Sequence, residues 1–285
     1  MSHAETIKER KVEMKKICFA SLGLIVVSLM SGCATRCDRC ICDSWNGKKV
    51  LVLGDSITDA ALHKRWKNYW AYLPEMMGIV PEVYGKNGHQ WTGILKQAQK
   101  AKAEKGDEID AVFIFAGTND FNGNVPLGQW YEVKDVEVNR NGKMMTLPRR
   151  HLNKDMATFK GRLNTVLEYL KTEFPDAQIV MFTPIHRAFF TCAKTNVQPD
   201  ESFPNPRGLY VDQYCDAICE AGKIWSVPVI DLYGECGLCP RIENQGALFA
   251  NPETDRLHPS SEGHRRIALL MATKLRTLPA TFKKD

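Results

Sequence analysis

Ser56 closes the run Lys48-Lys49-Val50-Leu51-Val52-Leu53-Gly54-Asp55-Ser56, and Asp255 and His258 stand about 200 positions later in Asp255-Arg256-Leu257-His258-Pro259. A serine hydroxyl is a poor nucleophile at neutral pH. Its attack on an acyl carbonyl needs a base that takes the proton as the bond forms. His258 is the candidate base. Asp255, three residues before it in a proline-containing turn, is spaced to hold the imidazole Nδ1–H while Nε2 faces the serine. The chemistry open to these residue types is acyl transfer through an acyl-Ser56 intermediate, and it requires a chain that folds back on itself.

The elements between the two ends supply that return. Residues 48–53, 81–84, 111–115, 179–182 and 227–232 are short apolar runs that predict strands. Helices are predicted over 69–77, 94–103, 155–174, 210–225 and 262–275; the clearest carries Met156, Phe159, Leu163, Val166, Leu167 and Leu170 at three- and four-residue steps. Residues 121–150, punctuated by Gly123, Pro126, Gly128, Gly142 and Pro148, read as a loop with a small hairpin. Strands alternating with helices predict a flavodoxin-like three-layer α/β/α fold, with a mostly parallel central sheet and ligands at the carboxyl ends of its strands. No internal repeat and no second domain is visible.

Four blocks carry a resemblance. Gly54-Asp55-Ser56-Ile57, Gly85-Lys86-Asn87-Gly88, Gly117-Thr118-Asn119-Asp120 and the Asp255 to Pro259 run follow one another in the order seen in the SGNH or GDSL-type serine hydrolases, which the chain resembles over residues 48–278. The resemblance implies Ser56 as nucleophile, Asp255 as orienting acid and His258 as general base and then acid. It further implies an oxyanion hole made of the Ser56 N–H, the Gly88 N–H and the Asn119 side chain, with no cofactor and no metal in the reaction. Fixed donors of this kind stabilise the charge that gathers on one oxygen in the tetrahedral intermediate more than they stabilise the ground state. Ile57 stands where the family nickname has leucine, an apolar exchange. Gly85 competes with Gly88 for the glycine position. The inserts at 121–150 and 186–208 are placed to reshape the substrate cleft.

Other residues have blander readings beside functional ones. Asp59 and Asp120 are expected to accept backbone N–H bonds and hold their turns. His89 and His186 follow elements on the active side, where a substrate contact competes with a structural role. Trp91, Trp130, Tyr131, Phe189 and Phe190 could stack on a sugar or line an acyl pocket, against ordinary core packing.

The N-terminus predicts export. Met14, Lys15 and Lys16 precede the apolar run Ile17 to Gly32, too short for a comfortable membrane span, and Leu29-Met30-Ser31-Gly32-Cys33 resembles the cleavage box of bacterial lipoproteins. Residues 1–33 are therefore read as a signal segment with lipidation at Cys33, 34–47 as a tether and 48–285 as the hydrolase domain. That arrangement predicts a cell-envelope lipoprotein held to the membrane by a lipid anchor. Translation starts at Met14 or the signal carries a long leading stretch. Of ten cysteines, the Cys215/Cys219 and Cys236/Cys239 pairs and Cys37, Cys40, Cys42 and Cys192 remain after Cys18 and Cys33; disulfides are favoured over a structural zinc site, with free thiols as a third state. A formal charge of +5 without a basic stripe gives no nucleic-acid surface, and no glycine-rich phosphate fingerprint is present.

The expected activity is hydrolysis of a carboxylic ester, with a small acyl group on a glycan or other small-molecule alcohol as substrate. Short-chain lipid or aryl esters, acyl transfer to a sugar hydroxyl, and a catalytically idle glycan-binding lipoprotein are the alternatives.

Overall fold

The computed structural model describes residues 44–62, 64–279 and 282. All of them fall in one compact unit, Ile41–Asp285. Cys33, the signal segment, Cys37, Cys40, Cys42 and most of the tether lie outside the described residues.

In chain order the strands are β1 (Lys49–Gly54), β2 (Val80–Val83), β3 (Ala111–Phe115), β4 (Tyr131–Arg140), β5 (Lys143–Leu152), β6 (Gln178–Phe182), β7 (Phe190–Ala193), β8 (Asn196–Gln198), β9 (Val229–Ile230), β10 (Phe249–Asn251) and β11 (Asp255–Pro259). The helices are α1 (Tyr69–Met77), α2 (Trp91–Lys105), α3 (Thr118–Asn122), α4 (Phe159–Glu173), α5 (Val211–Trp225), α6 (Leu232–Glu235) and α7 (Ser261–Leu275).

The central sheet runs β2-β1-β3-β6-β9 with every pairing parallel. This is the flavodoxin-like order, with the first strand beside the switch point. Because side chains alternate across a strand, Leu51, Leu53, Val112, Ile114, Ile179 and Met181 face α2, α4 and α5, while Val50, Val52, Phe113, Phe115, Val180 and Phe182 face α1 and α7. The fold is thus a three-layer α/β/α sandwich with two hydrophobic layers. A strand buried on both faces reads as an unbroken apolar run, which is why β1 and β3 were legible.

Three features differ from the sequence expectation. Trp45, inside the segment read as a tether, is fully buried: its Nε1–H donates to the Leu275 carbonyl at 3.1 Å and its ring packs on Phe113 and Phe282. The expected small hairpin is a ribbon of two ten-residue strands, β4 and β5, turned by Asn141 and Gly142 with φ of 56° and 80°. A second, antiparallel sheet, β10-β11-β7-β8, was not expected at all. It carries His258, so the segment read as a turn is a strand, paired with β10 through Phe249–Pro259 and with β7 through Phe190–Asp255.

The disulfide expectation also fails for the described cysteines. Cys192, Cys215, Cys219, Cys236 and Cys239 are free thiols, and no group of three or more described His, Cys, Asp or Glu side chains could hold a metal ion. Cys215 and Cys219 lie one turn apart on α5, where side chains point the same way along the helix instead of at each other. Burial pushes the Cys215 thiol well up, and that of Cys236 to about 11. No described helix is long and apolar enough to cross a membrane.

Candidate active site

The serine turn is built by close packing. A Cβ on Gly54 would stand 2.1 Å from Thr58 Oγ1 and 2.7 Å from the Phe115 carbonyl, so only glycine lets the chain bend there. Asp55 then closes the turn: its Oδ1 accepts from the Ile57 N–H at 3.0 Å, and its carbonyl accepts from Thr58 and Asp59. From α2, Gln97 accepts from the Gly54 N–H at 3.0 Å and donates to the Gly54 carbonyl at 2.8 Å. The chain is held just before the nucleophile candidate, and Ser56 is left nearly buried at the mouth of the sheet.

His258 arrives from the second sheet. Its Nε2 lies 2.9 Å from Ser56 Oγ, and its Nδ1 lies 2.9 Å from Asp255 Oδ2. A carboxylate accepts only, so the proton belongs on Nδ1 and the Nε2 lone pair faces the hydroxyl. Asp255 Oδ1 also accepts from the Leu257 and His258 N–H groups at 3.1 and 2.9 Å. Burial works to raise the Asp255 carboxyl, but these bonds and the imidazole outweigh it and hold the group below its ordinary value. The Phe190 ring stands edge-on to His258, with centroids 5.1 Å apart.

Asn119 enters from the start of α3. One hydrogen of its Nδ2 goes to the His89 carbonyl at 3.2 Å, which leaves the other for the cavity. The turn beneath it is clamped: Gln90 donates to the Asn119 carbonyl, Asp120 accepts from the Trp91 N–H, and Arg162 Nη1 reaches Asp120 and Gln90 at 2.8 and 2.9 Å. Burial pushes the Asp120 carboxyl up to about 7 in spite of that guanidinium. Asp59 accepts from Ala61 and Asn87. Both aspartates therefore hold turns.

The two glycines part company. A Cβ on Gly85 would lie 2.4 Å from Thr58 Cγ2, so that residue is small for packing. Gly88 has φ of +73° with open space around it, and lines the same cavity as Ser56, Asn119 and His258. That cavity holds about 650 Å³. Clefts of about 630 and 880 Å³ elsewhere include neither Ser56 nor His258.

The insert at 186–208 forms a cavity wall through β7 and β8, which bring Phe190, Asn196 and Gln198; the insert at 121–150 supplies Asn122 and Gly123, and its remainder runs into the β4–β5 ribbon. Of the aromatic candidates only Phe190 lines the cavity. Trp91 is core, Trp130 donates to Glu220, Tyr131 lies under Arg150, and Phe189 packs on Arg256. His89 accepts through Nδ1 from the Gln97 side-chain amide, and His186 pairs with buried Glu201 at 2.6 Å and packs on Tyr233; neither lines the cavity.

Sequence reasoning missed Arg187. It is 1 % exposed, donates from Nη1 to Thr118 Oγ1 at 3.1 Å and from Nη2 to Gln198 Oε1 at 2.5 Å, and so ties the asparagine turn to the cavity wall. No local spacing marks such a residue.

The turn that carries Ser56 and the strand that carries His258 meet at the carboxyl edge of a doubly wound sheet, the arrangement expected of an α/β serine hydrolase. The chain belongs to the GDSL-like lipase/acylhydrolase family, which matches residues 52–266. Among solved structures it resembles a protein from Lactobacillus plantarum, at 25% identity and TM-score 0.61 over 81% of this chain and 97% of that one. A possible lipase from Chitinophaga pinensis matches at 22% identity and TM-score 0.62, over 80% and 97% of the two chains. An acetylxylan esterase from Geobacillus stearothermophilus shares the fold at 17% identity and TM-score 0.50, over 85% and 100%. No curated protein matches at a significant level.

Proposed function

We propose that the protein is a serine carboxylic ester hydrolase that removes small acyl groups, acetyl foremost, from a carbohydrate, and that it works in the cell envelope as a lipoprotein anchored through Cys33. The observation that carries the reaction is the 2.9 Å approach of His258 Nε2 to Ser56 Oγ, with Asp255 on the far side of the ring.

In this reading Ser56 Oγ attacks the acyl carbon as His258 Nε2 takes its proton. The oxyanion is received by the Ser56 N–H, the Gly88 N–H and the spare Asn119 Nδ2 hydrogen. The intermediate collapses as His258 returns the proton to the leaving alcohol, and acyl-Ser56 remains. Water then repeats the sequence, with His258 as base, and releases the carboxylic acid.

The preference for a sugar ester rests on the cavity wall. Asn87, Gln90, Asn122, Asn196, Gln198 and Asn251 line it beside Asn119, whereas its large apolar side chains are Leu62, Phe190 and Leu257. Carboxamides both donate and accept and so match sugar hydroxyls; three apolar side chains offer a short acyl group a place but give a long chain little surface to bury. The envelope location rests on the sequence of residues 14–33.

The test is acetate release from acetylated glycans, compared with release from esters of longer acids, by the wild type and Ser56→Ala. Release that depends on Ser56 and falls with acyl length is expected. Turnover that persists without Ser56 contradicts the mechanism, and a preference for long acyl chains contradicts the substrate class.

A further inference from the structure

We propose that Arg65 makes the cavity selective for an acidic substrate, engaging a carboxylate carried by the sugar beside the scissile ester. The inference rests on the ester-hydrolase reading above and names the substrate more closely.

Three observations carry it. First, Arg65 lines the cavity that holds Ser56, Gly88, Asn119 and His258. Second, the other titratable side chains on that wall are the Cys192 thiol and the Asp255 and His258 pair, whose members are committed to each other at 2.9 Å, so Arg65 is the wall's one cation without a carboxylate partner among the described residues. It forms no ion pair with any described carboxylate. Third, its guanidinium lies over the Trp66 ring, 4.8 Å from the centroid. A guanidinium held against an aromatic face has less conformational freedom to lose when a ligand is bound.

A cation on a surface needs no explanation, but this one lines a cavity whose remaining polar wall, beside the Asp255 and His258 pair, is made of neutral carboxamides, hydroxyls and the Cys192 thiol. Those amides suit hydroxyls. They contribute no net charge, so discrimination between a neutral sugar and its acid falls to Arg65. A guanidinium matches a carboxylate with two parallel N–H···O bonds, and charge-assisted bonds of this kind are about twice as strong as neutral ones. A sulfate or phosphate ester would meet the same fork in a different geometry, and serves as the comparison.

The experiment uses matched substrates: a mono-acetylated methyl glucoside, its methyl glucuronide counterpart, and a sulfated analogue. Wild type, Arg65→Gln, Arg65→Lys and Arg65→Glu are compared by kcat/KM, with melting temperatures to show that each variant folds. The wild type is expected to favour the glucuronide. In Arg65→Gln the acidic-over-neutral ratio of kcat/KM falls about ten- to hundredfold through a higher KM on the acidic substrate. Arg65→Lys keeps part of the preference, and Arg65→Glu reverses it.

A wild type that treats the glucoside and glucuronide alike, or a folded Arg65→Gln whose ratio is unchanged, overturns the assignment while leaving ester hydrolysis in place. A preference for the sulfated analogue replaces the carboxylate with another anion and also overturns it. Failure of ester hydrolysis itself is read separately, as acetate release that does not depend on Ser56; the assignment then falls with the reaction.

Discussion

Arg162 Nη1 lies 2.8 Å from Asp120 Oδ1, an ion pair in which the carboxylate is fully buried directly beneath the turn that presents Asn119. The same nitrogen reaches Gln90, which in turn donates to the Asn119 carbonyl. One cation thus fixes the position of a candidate oxyanion donor without touching substrate. Arg162→Ala leaves the Asp120 carboxyl buried without its cation, a change that costs about 3–5 kcal/mol when the remaining group stays charged. With the wild-type carboxyl already raised to about 7, the variant's rises further and the group protonates more readily. Thermal unfolding should therefore show a larger loss of stability at pH 8 than at pH 5. Equal losses at both values would deny the pair its charge.

Asp55 gives a second pH dependence. Burial raises its carboxyl from 3.8 to about 6, so the folded state binds the proton more tightly than the unfolded chain does. Stability from this group is fully present below the unfolded value and is lost as pH rises through the folded one. Asp55→Asn keeps an acceptor for the Ile57 N–H and cannot ionise. Its stability relative to wild type should improve between pH 4 and pH 8, by up to about 3 kcal/mol. A difference independent of pH, measured by chemical denaturation, would contradict the assignment.

Gln97 bonds both backbone groups of Gly54, and Gln97→Leu removes both partners in a buried setting. The Gly54 carbonyl keeps the Lys86 N–H at 3.1 Å, so the expected cost is about 1–3 kcal/mol for the Gly54 N–H left unsatisfied. Because Gly54 stands two residues before Ser56, kcat should fall together with stability while KM on a small ester changes little. An unaltered kcat in a destabilised protein would separate Gln97 from the positioning of Ser56.

Much of this arrangement was legible in the sequence, for reasons that differ between its parts. Val50, Leu51, Val52 and Leu53 are buried on alternate faces, so the run betrayed a covered strand before anything was known of its neighbours. Ser56, Asn119 and the Asp255/His258 pair sit at fixed offsets from glycines and prolines, and such local signatures survive in sequence. The second sheet was invisible because β7, β8 and β10 are three- or four-residue strands, with several exposed polar side chains among them, and their pairing is decided by the returning chain. The inserts at 121–150 and 186–208 were expected at the cleft, but which of their side chains line the cavity was not legible. Arg65, Asn122 and Gln198 come from separate segments with no common spacing. For His186, whose place after β6 left a substrate contact and a structural role both open, pairing with Glu201 and packing on Tyr233 favour the structural role.

Asn119 is the proposed oxyanion donor whose removal is simplest to interpret, since one of its two side-chain hydrogens is already held by the His89 carbonyl. Asn119→Ala should lower kcat by roughly 100- to 1,000-fold, about 3–4 kcal/mol of activation energy, with a much smaller change in KM. A loss confined to KM would mean that Asn119 binds the ground state instead of the developing charge.

The most direct test of the account is to trap the nucleophile. The protein is treated with an activated phosphonate ester, which loses its leaving group as a serine oxygen–phosphorus bond forms, and the product is read by intact mass and peptide mapping. A single phosphonyl group on Ser56, formed in step with loss of esterase activity and absent from Ser56→Ala, is the predicted result. Modification at another residue, or an active enzyme that survives stoichiometric labelling of Ser56, would contradict it.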